Sequence, residues 1–202
     1  AARFAGSGFK ELVLAGANIG AYRDGNRTIL HLLEAIEALD TVERVRISSI
    51  EMSTVEYALI HHMSASAKLC RYLHLPLQTG DDALLKAMNR RYTSLDYRAV
   101  VDKATDRIPD IGLSTDIITG FPGETDEAFD ATLRMVRNLP FSHLHVFPFS
   151  ARRLTRAALM DGRPAKSVAG SRASELTELG VQKRSDFARR WVGREVNVLT
   201  ES

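Results

Sequence analysis

Cysteine is nearly missing: Cys70 is the one thiol in 202 residues. A single cysteine excludes an internal disulfide and fits a reducing, cytoplasmic setting. Apolar runs are short, and none approaches the ~20 residues that a membrane-spanning helix needs. The opening stretch, AARFAGSGFKELVLAGANIG, lacks the charged, apolar and cleavage regions of a secretory signal. It also lacks an initiator Met, so the chain reads as a fragment of something longer. The glycines of Gly16-Ala17-Asn18-Ile19-Gly20 do not have the G-x-G-x-x-G spacing of a dinucleotide fingerprint. There is no low-complexity tract and no repeat at solenoid periods. Net charge is only +2, which by itself points to no partner.

What is present is an ordinary globular composition, 45% apolar, enough for a real core in one domain or one and a half. Short apolar segments alternate with segments of helical period. Strands are expected at 11–16, 43–51, 72–75, 113–119 and 144–149. Helices are expected over 29–39 (capped by Thr28), 55–65 (opened by Thr54), 95–107 (capped by Ser94), from Thr125 onward, and over 167–191. Alternation of this kind implies parallel βαβ units. The five strands should lie in chain order with helices on the outer face. Residues 150–194 carry eleven Arg and Lys against four acids, Asp161, Glu175, Glu178 and Asp186. That excess suits either phosphate contacts or a solvated helical face.

The densest local signal is YLHLPLQTGDDALLKAMNRRY, residues 72–92. A strand is followed by Pro76, which removes a backbone donor and should end the ladder. Gln78-Thr79-Gly80 then makes a polar turn, and Asp81 or Asp82 caps a helix with Leu84, Leu85 and Met88 on one face. Arg90 falls where that helix runs out. Strand, polar turn, capped helix and cation in this order suit a site at the C-terminal edge of a parallel sheet. Asp116 lies between apolar neighbours in a strand, and is costly there unless hydrogen-bonded or facing the mouth of the sheet. His61 and His62 are adjacent, about 100° apart on a helix, and make a poor metal pair. His74 reads as a packed, hydrogen-bonded side chain. His143 and His145 alternate along one strand and share a face, either as structural residues or as substrate contacts. No metal ligand is assigned, and Cys70 reads as a small buried side chain.

The segment HLPLQTGDDALLKAMNRRYT closely resembles the region after the fourth strand of tRNA methylthiotransferases in the radical S-adenosylmethionine (SAM) superfamily. RISSIE (46–51) resembles their third strand, STDIITGFPGET (114–125) their fifth strand and loop, and SHLHVFPFS (142–150) their sixth. The resemblance spans roughly residues 8 to 202 and is nearest the subgroup acting on threonylcarbamoyl-adenosine beside the tRNA anticodon. Two other readings stay beside it: methylthiolation of isopentenyl-adenosine or of a ribosomal protein, and a non-catalytic RNA-binding relative. The chain departs from the family at Arg153-Leu154, where relatives carry Pro-Gly.

The resemblance implies an open, partial parallel β/α barrel over 1–194 whose first strand is missing. Residues 195–202 would begin a TRAM-like RNA-binding β domain, with an alternating strand over 195–199. It implies SAM as cofactor, with Gly16 and Asn18 beside its methionine part. Gln78 and Arg90 would lie near its carboxylate and ribose, and Asp116 near its ribose or amino group. Ser49 and Glu51 would face SAM or substrate. Phe147, with Phe149, would lie by the adenine or in the core. Four-iron, four-sulfur clusters would belong to the parent protein, because the family's CxxxCxxC loop is not in this chain. The family's reaction cleaves SAM to a 5′-deoxyadenosyl radical and inserts a methylthio group into tRNA at the anticodon stem-loop. A fragment without the cluster ligands should be inactive alone.

Overall fold

The computed structural model describes residues 1–199. A short helix α1 (Ala2–Gly6) leads into strand β1 (Glu11–Leu14). A two-residue hairpin follows, β2 (Arg23–Asp24) and β3 (Arg27–Thr28), turned at Gly25 with φ 57°. Then come α2 (Ile29–Glu37), β4 (Arg44–Ile47), α3 (Tyr57–Ala65), β5 (Tyr72–His74), α4 (Asp82–Ala87) and α5 (Ser94–Arg107). The chain ends with β6 (Gly112–Thr119), α6 (Asp126–Asn138), β7 (His143–Pro148) and the long α7 (Lys166–Arg189).

β1 pairs in parallel with β4, and β5, β6 and β7 pair in parallel in that order. Parallel bridges Val45–Leu69 and Ser49–His74 join the two ladders. The five long strands therefore follow one another in space as in sequence, as an open β/α sheet. The antiparallel hairpin β2–β3 is an addition that periodicity over two residues cannot reveal.

Side chains on alternate strand positions divide into two layers. Val45, Ile47, Leu73, Ile117 and Leu144 face the helices and are buried with Leu33, Leu59, Val101 and Val136. Full burial of such a side chain contributes about 1.5–3 kcal/mol. α7 lies close on β7 because Gly180 lets Leu144 in: a Cβ there would stand 3.2 Å from Leu144 Cβ. Tyr97 is completely buried, and its hydroxyl donates to Leu75 O at 2.7 Å. Burial drives its phenol far above the usual tyrosine range. Tyr97→Phe should leave the Leu75 carbonyl short of a donor and cost about 1–3 kcal/mol, read as a lower urea midpoint at unchanged slope.

Several local expectations are corrected. Pro76 does not end pairing. Leu75 N donates to Ser114 O, Leu77 N turns to the Thr115 hydroxyl, and Gln78 pairs again with β6 through Asp116 O and Ile118 N. A side-chain hydroxyl thus bridges the ladder across the distorted strand end. Thr54 does not open α3. It sits in a 3-10 turn, its hydroxyl donating to Glu51 O at 2.7 Å, and Glu56 precedes the helix instead. Thr93, not Ser94, caps α5, in a reciprocal box with Asp96. Asp81 caps α4 by accepting from Leu84 N at 2.8 Å, which frees Asp82 to accept from Ser94 N and tie α4 to α5. Residues 195–199 form no strand, since a strand needs a ladder partner; Arg44 donates to Asn197 O instead. The remaining residues of that predicted β segment, 200–202, lie outside the described residues. Cys70 is only partly buried. Among the described residues no helix is long and apolar enough to cross a membrane.

Candidate functional site

The turn after β5 is held from beneath by α6. Thr132 Oγ1 accepts from Gly80 N at 2.8 Å and meets Thr79 Oγ1 at 3.0 Å. A Cβ on Gly80 would stand 2.7 Å from Thr132 Cα, so only glycine fits this approach. Gln78 is almost fully buried and left-handed, φ 72°, a strained conformation for a residue with a Cβ. Gln78 of the expected polar turn is thus packed at the strand's end.

α4 stops in a Schellman turn. Asn89 adopts φ 59°, its N–H donates to Lys86 O at 3.0 Å, and Arg90 N donates to Leu85 O at 2.8 Å. This turn swings Arg90 back over the sheet. Its Nη1 lies 2.8 Å from Glu51 Oε2, just beyond β4, and each side chain is about a quarter exposed. Asn18, after β1, borders the same cavity of about 230 Å³. Its Oδ1 lies 3.2 Å from Thr54 Oγ1, whose proton is shared with the nearer Glu51 O at 2.7 Å. The loops after β1 and β4 and the turn that ends α4 therefore bring a cation, a carboxylate and an amide together. That set matches the charged end of an α-amino acid, whose carboxylate suits the guanidinium fork and whose ammonium suits a carboxylate.

Arg90 also borders a second cavity of about 630 Å³, shared with Gln78, Lys86, Ile118, Phe121 and Arg156. Its floor is apolar and its rim cationic. Ser49, Asp116 and Phe147 line a third, of about 450 Å³, on the face of the sheet turned away from the helices. The predicted residues thus divide among three spaces: Arg90 links the first two, and the third shares no lining residue with either. Gly16 borders none of these cavities. A Cβ there meets Ile19 only at 3.8 Å, whereas at Gly20 it would stand 2.1 Å from Thr54 Oγ1. Gly20 is therefore the glycine the loop requires. Phe149 packs edge-on against Phe121 under Arg163, not beside Phe147.

The third cavity holds residues that one-by-one reading of the histidines passed over. His74 Nε2 lies 3.2 Å from Asp116 Oδ2, so the Asp116 carboxylate is answered by a partner in its strand layer. His74 Nδ1 meets Ser114 Oγ at 2.7 Å, and Ser114 Oγ meets Tyr72 OH at 2.5 Å. His145 stands beside His74 with ring centroids 5.5 Å apart. Burial, with His145, Arg184 and His74 nearby, holds the His143 imidazole below its usual pKa. The signal for this cluster was the period-2 pattern of polar residues in three strands, Tyr72/His74, Ser114/Asp116 and His143/His145. Only the register places them side by side.

Cys70 lies elsewhere, lining a cavity with Lys10, Glu43, Arg44 and Lys68. Burial pushes its thiol above the usual range.

A parallel β/α sheet with a cation, a carboxylate and an amide gathered beyond its strands is the architecture of an α/β enzyme domain. Residues 1–136 match the Radical SAM superfamily, and the chain belongs to it. It is 37% identical over 194 residues to threonylcarbamoyladenosine tRNA methylthiotransferase MtaB of Chlamydia pneumoniae, covering 96% of this chain and 46% of that protein. The protein of the same name from Thermotoga maritima is 38% identical, covering 96% and 45%. The tRNA-2-methylthio-N(6)-dimethylallyladenosine synthase of Alkaliphilus oremlandii is 36% identical, covering 98% and 42%. The chain thus spans less than half the length of the curated relatives it matches. Among solved structures, the radical SAM coproporphyrinogen III oxidase of Escherichia coli aligns with a TM-score of 0.68 at 18% identity, covering 86% of this chain and 40% of that one. The methyltransferase TsrM of Kitasatospora setae, solved with cobalamin and a [4Fe-4S] cluster, aligns at 0.58 and 16%, covering 72% and 29%. The superfamily's cofactors are SAM and the four-iron, four-sulfur cluster.

Proposed function

We propose that this chain is the SAM-holding part of a tRNA methylthiotransferase that modifies threonylcarbamoyl-adenosine beside the anticodon. The observation that carries the reading is the Arg90–Glu51–Asn18 set at the C-terminal edge of the sheet. Arg90 would take the SAM carboxylate, Glu51 its ammonium, and Asn18 would border the methionine part. Gln78 and the apolar floor of Ile118 and Phe121 lie next to Arg90, on the side suited to the nucleoside. Ser49, Asp116 and Phe147 would face ribose or substrate from the inner layer. SAM supplies the radical-generating fragment and the methyl group of this reaction class. The chain's own residues do not fit a cluster, because one partly buried cysteine with a raised pKa cannot supply several thiolates. The cluster ligands belong to another part of the enzyme, so this chain's task is to bind and orient. Exposed Arg152, Arg153 and Arg156, on the segment after β7, support phosphate contact with RNA.

The near-equal identity to relatives named for dimethylallyladenosine keeps that nucleoside as the competing substrate. Expression of the full-length gene in a bacterial host stripped of its own methylthiotransferases separates the two. Mass spectrometry of digested tRNA should show 2-methylthio-threonylcarbamoyl-adenosine. The dimethylallyl product would transfer the assignment to the second nucleoside. Neither product, from a protein that carries its cluster, would remove both.

A further inference from the structure

We propose that His74, Asp116 and His145 form a binding site for a single divalent transition-metal ion on the inner face of the sheet. The three side chains come from three adjacent parallel strands. Asp116 is the register partner of His145, and His74 that of Ser114, two residues before Asp116. One ligand atom from each of the three lies within 4.8 Å of the others. Metal–ligand bonds of about 2.1 Å place tetrahedral ligand atoms about 3.4 Å apart. His74 Nε2 and Asp116 Oδ2 are already 3.2 Å apart, so only His145 has to close in.

The second observation is independent of that spacing. A metal-bearing imidazole nitrogen must be unprotonated, and its other nitrogen normally donates to a fixed acceptor. His74 Nδ1 meets Ser114 Oγ at 2.7 Å, and Tyr72 OH sets the Ser114 hydroxyl from its far side at 2.5 Å. Nε2–H donates to Asp116 Oδ2 while no ion is bound; an ion would take that proton's place, with the proton moving to Nδ1, where Ser114 Oγ stands ready to accept it. Two imidazoles and one carboxylate suit Fe(II), Zn(II), Co(II) or Ni(II) rather than Mg(II) or Ca(II), and they leave coordination positions open. Those positions face the cavity of about 450 Å³ lined by Arg46, Ser49 and Phe147. A water, or a Lewis-base group of whatever fills the cavity, completes the shell.

The test uses Co(II), whose visible bands report coordination. The 202-residue chain, titrated anaerobically, should bind one equivalent and show d–d bands, displaced by Zn(II). His74→Ala, His145→Ala and the isosteric Asp116→Asn should each weaken binding at least ~10-fold, and Ser114→Ala should weaken it about 10- to 100-fold. His61→Ala and Cys70→Ser should leave it unchanged, with circular dichroism confirming the fold of each variant. Absence of bands at millimolar Co(II), or binding that survives Asp116→Asn, would mean that His74 and Asp116 are only a hydrogen-bonded pair. A thiolate charge-transfer band lost in Cys70→Ser would place the ion elsewhere. The measurement uses neither SAM nor tRNA, so its failure leaves the proposed reaction standing, and the reverse holds too.

Discussion

Arg172→Ala should lower the stability of this chain by about 3–5 kcal/mol, the cost of stranding one charge of a buried ion pair. Arg172 reaches from α7 to Glu124 in the loop between β6 and α6. The Nη1–Oε2 distance is 2.7 Å, with side chains only 7% and 2% exposed. The same carboxylate oxygen accepts from Gly120 N at 2.7 Å, and Arg172 also donates to Glu124 O at 3.2 Å and to Asp126 at 2.5 Å. Its guanidinium lies over the Phe129 ring. Removing the cation leaves a carboxylate that water cannot reach and that one backbone N–H cannot compensate. At about 2–4 °C per kcal/mol for a chain of this size, the melting point should fall by roughly 6–20 °C. The double variant Glu124→Gln with Arg172→Met removes both charges and keeps an acceptor for Gly120 N. It should recover much of the loss, because apolar replacement of a buried pair is often close to neutral. A loss below about 1 kcal/mol in Arg172→Ala would show that the pair is not what holds α7 to this loop. Phe121, on the loop, borders the cavity shared by Gln78 and Arg90, so the clamp also shapes the proposed nucleoside side.

The second large effect is on ligand binding. In the full-length, cluster-loaded enzyme, Arg90→Ala should weaken SAM by about 10- to 150-fold, taking roughly 1.5–3 kcal/mol for a hydrogen bond to a charged group. Arg90→Lys keeps the charge, loses the planar fork, and should fall between. The Glu51 pair does not weaken this expectation. At 2.8 Å the pair holds Arg90 in place before ligand arrives, and a bound zwitterion offers each partner an opposite charge. A ligand without the amino-acid end, 5′-methylthioadenosine, should therefore bind Arg90→Ala and wild type alike. Lys103, exposed on α5 and away from these cavities, is the internal control: Lys103→Ala should leave SAM affinity unchanged. Equal SAM affinity in Arg90→Ala and wild type would remove this arginine from the site and take the reading of Glu51 with it.

Strand–helix alternation, the Thr125 cap, a cap at Asp81 or Asp82, and the chain-order parallel sheet followed from local pattern, because period and capping chemistry act over a few residues. The family was legible for the same reason, carried by contiguous wording such as HLPLQTGDDALLKAMNRRYT. Cap positions at Thr54 and Ser94 were misplaced because neighbouring hydroxyls compete, and tertiary contacts decide which one takes the helix. Thr54 is drawn away by Glu51 O and Asn18. The packed Gln78, the Gly20 and Gly80 requirements, and the Arg172–Glu124 clamp depend on partners 34 to 52 residues distant. No local period encodes such contacts. The same holds for the inner-face cluster. Sequence placed His74, Asp116 and His145 on strands, but which residues face one another is a matter of register. Register comes from how the strands pair and the helices pack between them, and only the folded sheet brings the three side chains together.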